Sequence, residues 1–166
     1  MTGLVQQFER EATDAGCEVR RVAAAEFADA LADRLDPPAV GAPLPFEGVS
    51  LPDDVTTDPT PSDLESARTG VTPARFAVAD YGSVAIRSTA AGDEPASLYP
   101  ERHVAVVAAS DVVGDMTAGV ERLGEIARAG GDVVLATGPS ATADMGELVV
   151  GAHGPRAVTV FVLEDR

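Results

Sequence analysis

The sequence predicts an α/β protein, built as three α/β/α layers around a mostly parallel sheet. Three observations carry that expectation. HVAVVAA (103–109) is continuously apolar over strand length, and DVVLAT (132–137) and AVTVFVLE (157–164) are nearly so, as strands covered on both faces are. Segments with helical spacing lie before and between these runs, the alternation that produces parallel crossovers. Hydrophobic residues make up 45% of the chain but aromatics only 4%, which calls for closely packed aliphatic layers.

Taken in order, residues 3–15 read as a helix with Leu4, Val5 and Phe8 on one side, and Cys17–Val22 alternates like a strand. AAAEFADALADRL (23–35) spaces Phe27, Leu31 and Leu35 four apart, as an amphipathic helix does. It stops at Asp36-Pro37-Pro38, because proline lacks the N–H a helix interior needs and restricts the residue before it. The stretch 36–62 holds most of the prolines and no helical period. It is expected to be a long connection within a single domain spanning 1–166, with short strands near Ala39–Val40 and Phe46–Ser50. SDLESARTGVTPARFAVADYG reads as one or two short helices, with Ser62 or Asp63 as N-cap and Thr72-Pro73 as a second start. SVAIRS (83–88) is expected as a strand, 111–130 as a helix ending at Gly130-Gly131, and Ala141–Val150 as a helix.

Charge narrows the function classes. The net charge is −15, so phosphate backbones and anionic membranes are repelled, and nucleic acid is not an expected partner. All 12 basic residues are arginines. Without lysine there is no Schiff-base chemistry and no Walker-type phosphate lysine. Such composition resembles that of extreme halophiles. No run approaches the roughly 20 apolar residues of a membrane helix, and MTGLVQQFEREATDAG is charged where a signal peptide would be apolar, so a cytoplasmic protein without membrane insertion is expected. Cys17 is the single cysteine, which leaves no thiolate set for an iron–sulfur cluster or structural zinc. It is expected to be a buried small hydrophobe. No cofactor and no metal is predicted.

Three loops could carry chemistry. Gly138-Pro139-Ser140 sits between a strand and an expected helix, where free backbone amides plus the Ser140 and Thr142 hydroxyls would hold a phosphate or carboxylate at the carboxyl end of a strand. Helix capping by Ser140 explains the same residues. Asp144 favours the helix dipole but would repel an anion, which suits a ligand that also offers a donor. In Gly151-Ala152-His153-Gly154-Pro155, His153 is a candidate acid or base, or a cap for the preceding helix. Asp80-Tyr81-Gly82-Ser83 is a tight turn in which Asp80 is a third acid–base candidate and Gly82 and Ser83 could contact a ligand. His103 opens a buried strand and is expected to pack in the core or at a strand edge.

These loops, in this order, resemble the LUD-domain family of lactate-utilisation C proteins, also described as the YkgG family. GVTPARFAVADYGSV, SLYPERHVAVV and GPSATADMGELVVGAHGP carry the likeness, which covers 69–166. Ala141 stands where the family usually has Arg or Lys, and Tyr81-Gly82-Ser83 where it has Thr-Gly-Thr. The resemblance implies a NagB/RpiA/CoA-transferase-like fold and a part in oxidising L-lactate to pyruvate beside iron–sulfur partner subunits. The reading that follows is a non-redox accessory subunit with a small-anion pocket. The alternative is an independent enzyme, isomerase- or transferase-like, acting on a small phosphorylated or carboxylated metabolite.

Overall fold

The structure, a computed structural model, describes residues 2–144 and 147–166. Helix α1 (Thr2–Asp14) leads into strand β1 (Glu18–Val22) and, through a 3-10 turn at Ala24–Glu26, into α2 (Phe27–Ala32). Strands β2 (Ala39–Gly41) and β3 (Val55–Thr57) flank the proline-rich connection, followed by α3 (Pro61–Ser66), β4 (Thr69–Pro73), β5 (Phe76–Val78) and β6 (Ser83–Ser88). Then come α4 (Asp93–Leu98), β7 (Arg102–Ala108), β8 (Val112–Val113), α5 (Met116–Arg128), β9 (Asp132–Ala136), β10 (Ala141–Asp144), β11 (Glu147–Val150) and β12 (Ala157–Leu163).

The expected mostly parallel sheet is present. Six strands run in the order β1-β12-β7-β4-β2-β3, every neighbouring pair parallel. Every residue of β12 from Val158 to Leu163 and of β7 from His103 to Ala108 is buried, which explains their unbroken apolar character. One face packs on α2, where Phe27 meets Phe161 edge-on with ring centroids 5.4 Å apart. The other packs on Val5, Phe8 and Ala12 of α1.

That second face also carries a sheet absent from the sequence reading. Strands β8-β5-β6-β9 form a smaller mixed sheet whose inner side (Ala77, Val84, Ile86) joins the central core and whose outer side (Phe76, Val78, Ala85) is covered by Met116, Leu123 and Ile126 of α5. DVVLAT therefore belongs to this sheet, only partly buried, instead of to the central one.

Other elements are corrected as well. Thr72-Pro73 starts no helix; it ends β4, and Phe76–Val78 is a strand. Helix α3 is capped by Thr60, not by Ser62 or Asp63: Thr60 Oγ1 accepts from the Asp63 N–H, and Asp63 accepts in turn from the Thr60 N–H at 2.8 Å. That hydroxyl and amide hold the Asp63 carboxyl below its ordinary pKa. Phe46–Ser50 forms no strand; Phe46 and Val49 turn back onto the α2 core, and β3 lies further on.

Ala141–Asp144 and Glu147–Val150, expected within one helix, instead form an antiparallel β10–β11 pair in the register Ala141↔Val150 to Asp144↔Glu147. Thr142, Val149 and Val150 are β-branched, and Gly146, whose own structure lies outside the described residues, would cost a helix interior about 1 kcal/mol. These residues suit a strand, and the β10–β11 pairing decides the segment against the helical spacing of its apolar residues.

Close approach of β4 to α4 fixes one side of the sheet. A Cβ on Gly70 would lie 1.8 Å from the carbonyl oxygen of Ala96. Gly70→Ala is expected to lower stability by on the order of 3 kcal/mol in urea unfolding, whereas Gly3→Ala, in the first turn of α1 and meeting nothing within 4 Å, should not lower it.

Candidate functional site

The two glycine-rich turns that flank the hairpin are tied together by Ser140. Its N–H donates to the Pro155 carbonyl at 2.9 Å, its carbonyl accepts from the Gly151 N–H at 2.7 Å, and its Oγ accepts from the His153 N–H at 3.4 Å. Gly138, Ser140, His153, Gly154 and Pro155 then line one cavity of about 150 Å³ with Ser97, Leu98 and His103. Residues far apart in sequence thus share a hollow.

Its position and its chemistry differ from the expectation. The turn follows the carboxyl end of β9 as expected, but β9 is not in the central sheet; His103 and Val158 stand near the starts of β7 and β12, so the hollow lies at the amino ends of these central strands. No helix follows Ser140, so no helix N-terminus supplies amides there, Ser140 is no helix cap, and His153 has no preceding helix to cap; the helix end beside the hollow is the C-terminus of α4, at Ser97 and Leu98. Thr142 lies within β10 and is half-buried. Asp144 closes β10 opposite Glu147, and its side chain lies outside the described residues.

The third loop is an immediate neighbour of this hollow without lining it. Ser83 is buried, and its hydroxyl bonds Thr137 Oγ1 at 2.6 Å, one residue before Gly138. Gly82 and Gly138 both adopt positive φ, at 62° and 71°. Cβ atoms there would come within 2.3 Å of Ala12 N and 2.2 Å of Ala15 O, so both turns need glycine in order to seat against the end of α1. Pro139 lies against Gly16 in the same contact. Gly82 and Ser83 thus hold their turn against α1 and beside Thr137. Asp80 is exposed, its N–H bonds the Gly114 carbonyl, and it does not line the hollow.

Two residues gain importance from the structure. Arg156 packs so closely on Gly151 that a Cβ there would lie 2.1 Å from Arg156 Cγ, which brings a guanidinium to the hairpin base where Ala141 supplies none. His103 is only 1% exposed, and its Nε2 lies 2.9 Å from Thr72 Oγ1 on the neighbouring strand. Burial pushes its pKa down from 6.5 to about 4, so the imidazole that lines the hollow is neutral at neutral pH. A lone polar residue opening an apolar run was the available signal. Cys17 is buried as expected, and burial raises its thiol pKa.

The fold agrees with what this chain is similar to. The LUD domain model matches residues 26–163. The chain belongs to the LUD-domain family. Lactate utilization protein C of Deinococcus radiodurans is 33% identical over 96% of this chain and 79% of its own length. The protein of the same name from Bacillus licheniformis is 36% identical over 61% of the chain and 45% of its own length, and the Escherichia coli protein YkgG 31% identical over 63% and 47%. The match thus spans under half the length of the latter two. A crystal structure of a duf162 family protein from Deinococcus radiodurans superposes with a TM-score of 0.78 at 25% identity, over 98% of both chains. Among the described residues no helix is long and apolar enough to cross a membrane.

His103 gives the hollow a measurable pH signature. Its folded pKa lies below the unfolded value, so the unfolded chain takes the extra proton. The contribution is full above pH 6.5 and is lost as pH falls toward about 4, a difference of about 3 kcal/mol. Urea midpoints of wild type should fall more steeply over that window than those of His103→Gln; parallel curves would show that His103 does not titrate with unfolding.

Proposed function

We propose that this chain serves lactate utilisation as a non-redox accessory subunit beside iron–sulfur partner subunits in the cytoplasm, with the Ser140–His153 hollow holding a small anion. The observation that carries the reading is the joining of the two signature turns by Ser140 into one cavity, in a chain whose relatives are named for lactate utilisation. The Ser140 hydroxyl, the His153 imidazole and the neighbouring Arg156 guanidinium are suited to a carboxylate, and neutral His103 adds a hydrogen-bonding group at the inner wall. A single buried cysteine supports assigning electron-transfer centres to another chain.

The hairpin supports a docked partner. Leu148 is 72% exposed, and Val149 and Val150 are 40% and 43% exposed. Apolar side chains on an exposed two-stranded hairpin are the kind of surface a partner subunit covers.

Deleting the gene should abolish growth on L-lactate while leaving growth on pyruvate intact. A tagged chain should capture a cysteine-rich iron–sulfur protein from lactate-grown cells, and Leu148→Asp should weaken that capture without changing the urea midpoint. Capture of no such protein would remove the accessory reading. Turnover of a phosphorylated or carboxylated metabolite by the purified chain alone, abolished by His153→Ala, would replace it with the independent enzyme.

A further inference from the structure

A second cavity lies at the opposite end of the central sheet. β2 and β4 are adjacent and parallel, yet the chain leaves them toward opposite faces. After β2, Leu44 and Phe46 join the α2 core; after β4, Ala74 and Ala77 join the α1 core. Divergence of neighbouring connections opens a crevice beyond the carboxyl ends, the switch point at which open α/β sheets bind ligands. A cavity of about 400 Å³ occupies this crevice, within the size range of small-molecule sites.

Its walls divide by chemistry. Pro43, Pro45, Phe46, Pro73 and Ala74 make one side apolar, while Arg75 and Arg87 bring two guanidinium groups. The same two arginines also line an adjoining cavity of about 190 Å³ beside Arg122, Glu125 and Ile126. In a chain of net charge −15, seven of the 12 arginines pair with carboxylates among the described residues: Arg10, Arg20, Arg21, Arg34, Arg68, Arg122 and Arg166. Arg75 and Arg87 pair with none among the described residues, although carboxylates stand close by. Asp111 is turned toward Arg122 at 3.7 Å. Asp93, 5% exposed, accepts a hydrogen bond from the Thr89 hydroxyl at the cavity edge and retains capacity to accept another.

We infer that this crevice binds a small organic carboxylate that carries a hydroxyl or ammonium donor. The carboxylate lies on Arg75 and Arg87, whose planar forks match its two oxygens. The donor reaches Asp93, and the carbon body rests on the proline wall. The site is separate from the Ser140–His153 hollow, and neither assignment depends on the other.

The test is titration calorimetry at low salt with L-lactate, L-serine, acetate and inorganic phosphate, each on wild type, Arg75→Gln/Arg87→Gln and Ser140→Ala/His153→Ala. Both arginines are exposed, so the first variant should keep the wild-type unfolding midpoint. Lactate or serine should bind at millimolar concentration and more tightly than acetate, and the arginine variant should weaken that binding roughly tenfold or more. The Ser140/His153 variant should keep the part of that binding that the arginine variant removes. Loss in the Ser140/His153 variant alone would move the site to the other hollow. Binding unaffected by the arginine variant, preference for phosphate, or no heat from either donor-bearing carboxylate would overturn the assignment.

Discussion

A parallel sheet must be covered on both faces, and the rest of this molecule follows from that requirement. Strands β7 and β12 present buried side chains to both sides along nearly their whole length. One side is closed by α2 through Phe27 and Leu31. The other needs α1 together with an entire second sheet, because α1 alone, with Val5, Phe8 and Ala12, spans too little of it. Burial of this aliphatic surface is the dominant favourable term in the fold.

Covering the second face also places the loops. Gly82 and Gly138 end up against the last turn of α1 because the second sheet must lie beside that helix to complete the layer. The Ser83–Thr137 hydroxyl pair joins the two strands that carry these turns, so α1, β6 and β9 lock one another. The hairpin that follows stands outside the layers and exposes apolar residues. A cavity and an exposed apolar surface thus lie side by side.

The two cavities differ in origin. The one around Ser140 arises where the hairpin turns back onto the amino ends of β7 and β12, and its polar groups come from turns and from one buried histidine. The one around Arg75 arises from topology, since adjacent strands send their connections to opposite faces. In a chain of net charge −15, two neighbouring arginines with no carboxylate partner among the described residues are a local inversion of its electrostatics.

By itself the sequence determined the class of fold, the long buried strands, α1, the burial of Cys17 and the family, because burial on both faces and long loop motifs leave local signatures. Short strands such as Phe76–Val78 and Val112–Val113 were not legible: two or three residues carry no period, and their pairing partners decide them. The Ala141–Val150 segment misled because apolar residues at helical spacing also satisfy a hairpin, and pairing register is a non-local choice. Only the tertiary structure decided that Ser140 and His153 meet while Asp80 stands apart, that His103 is drawn into the hollow, and that Arg75 and Arg87 share a crevice. Proximity between residues distant along the chain is set by how layers stack and strands order, and no local pattern encodes it.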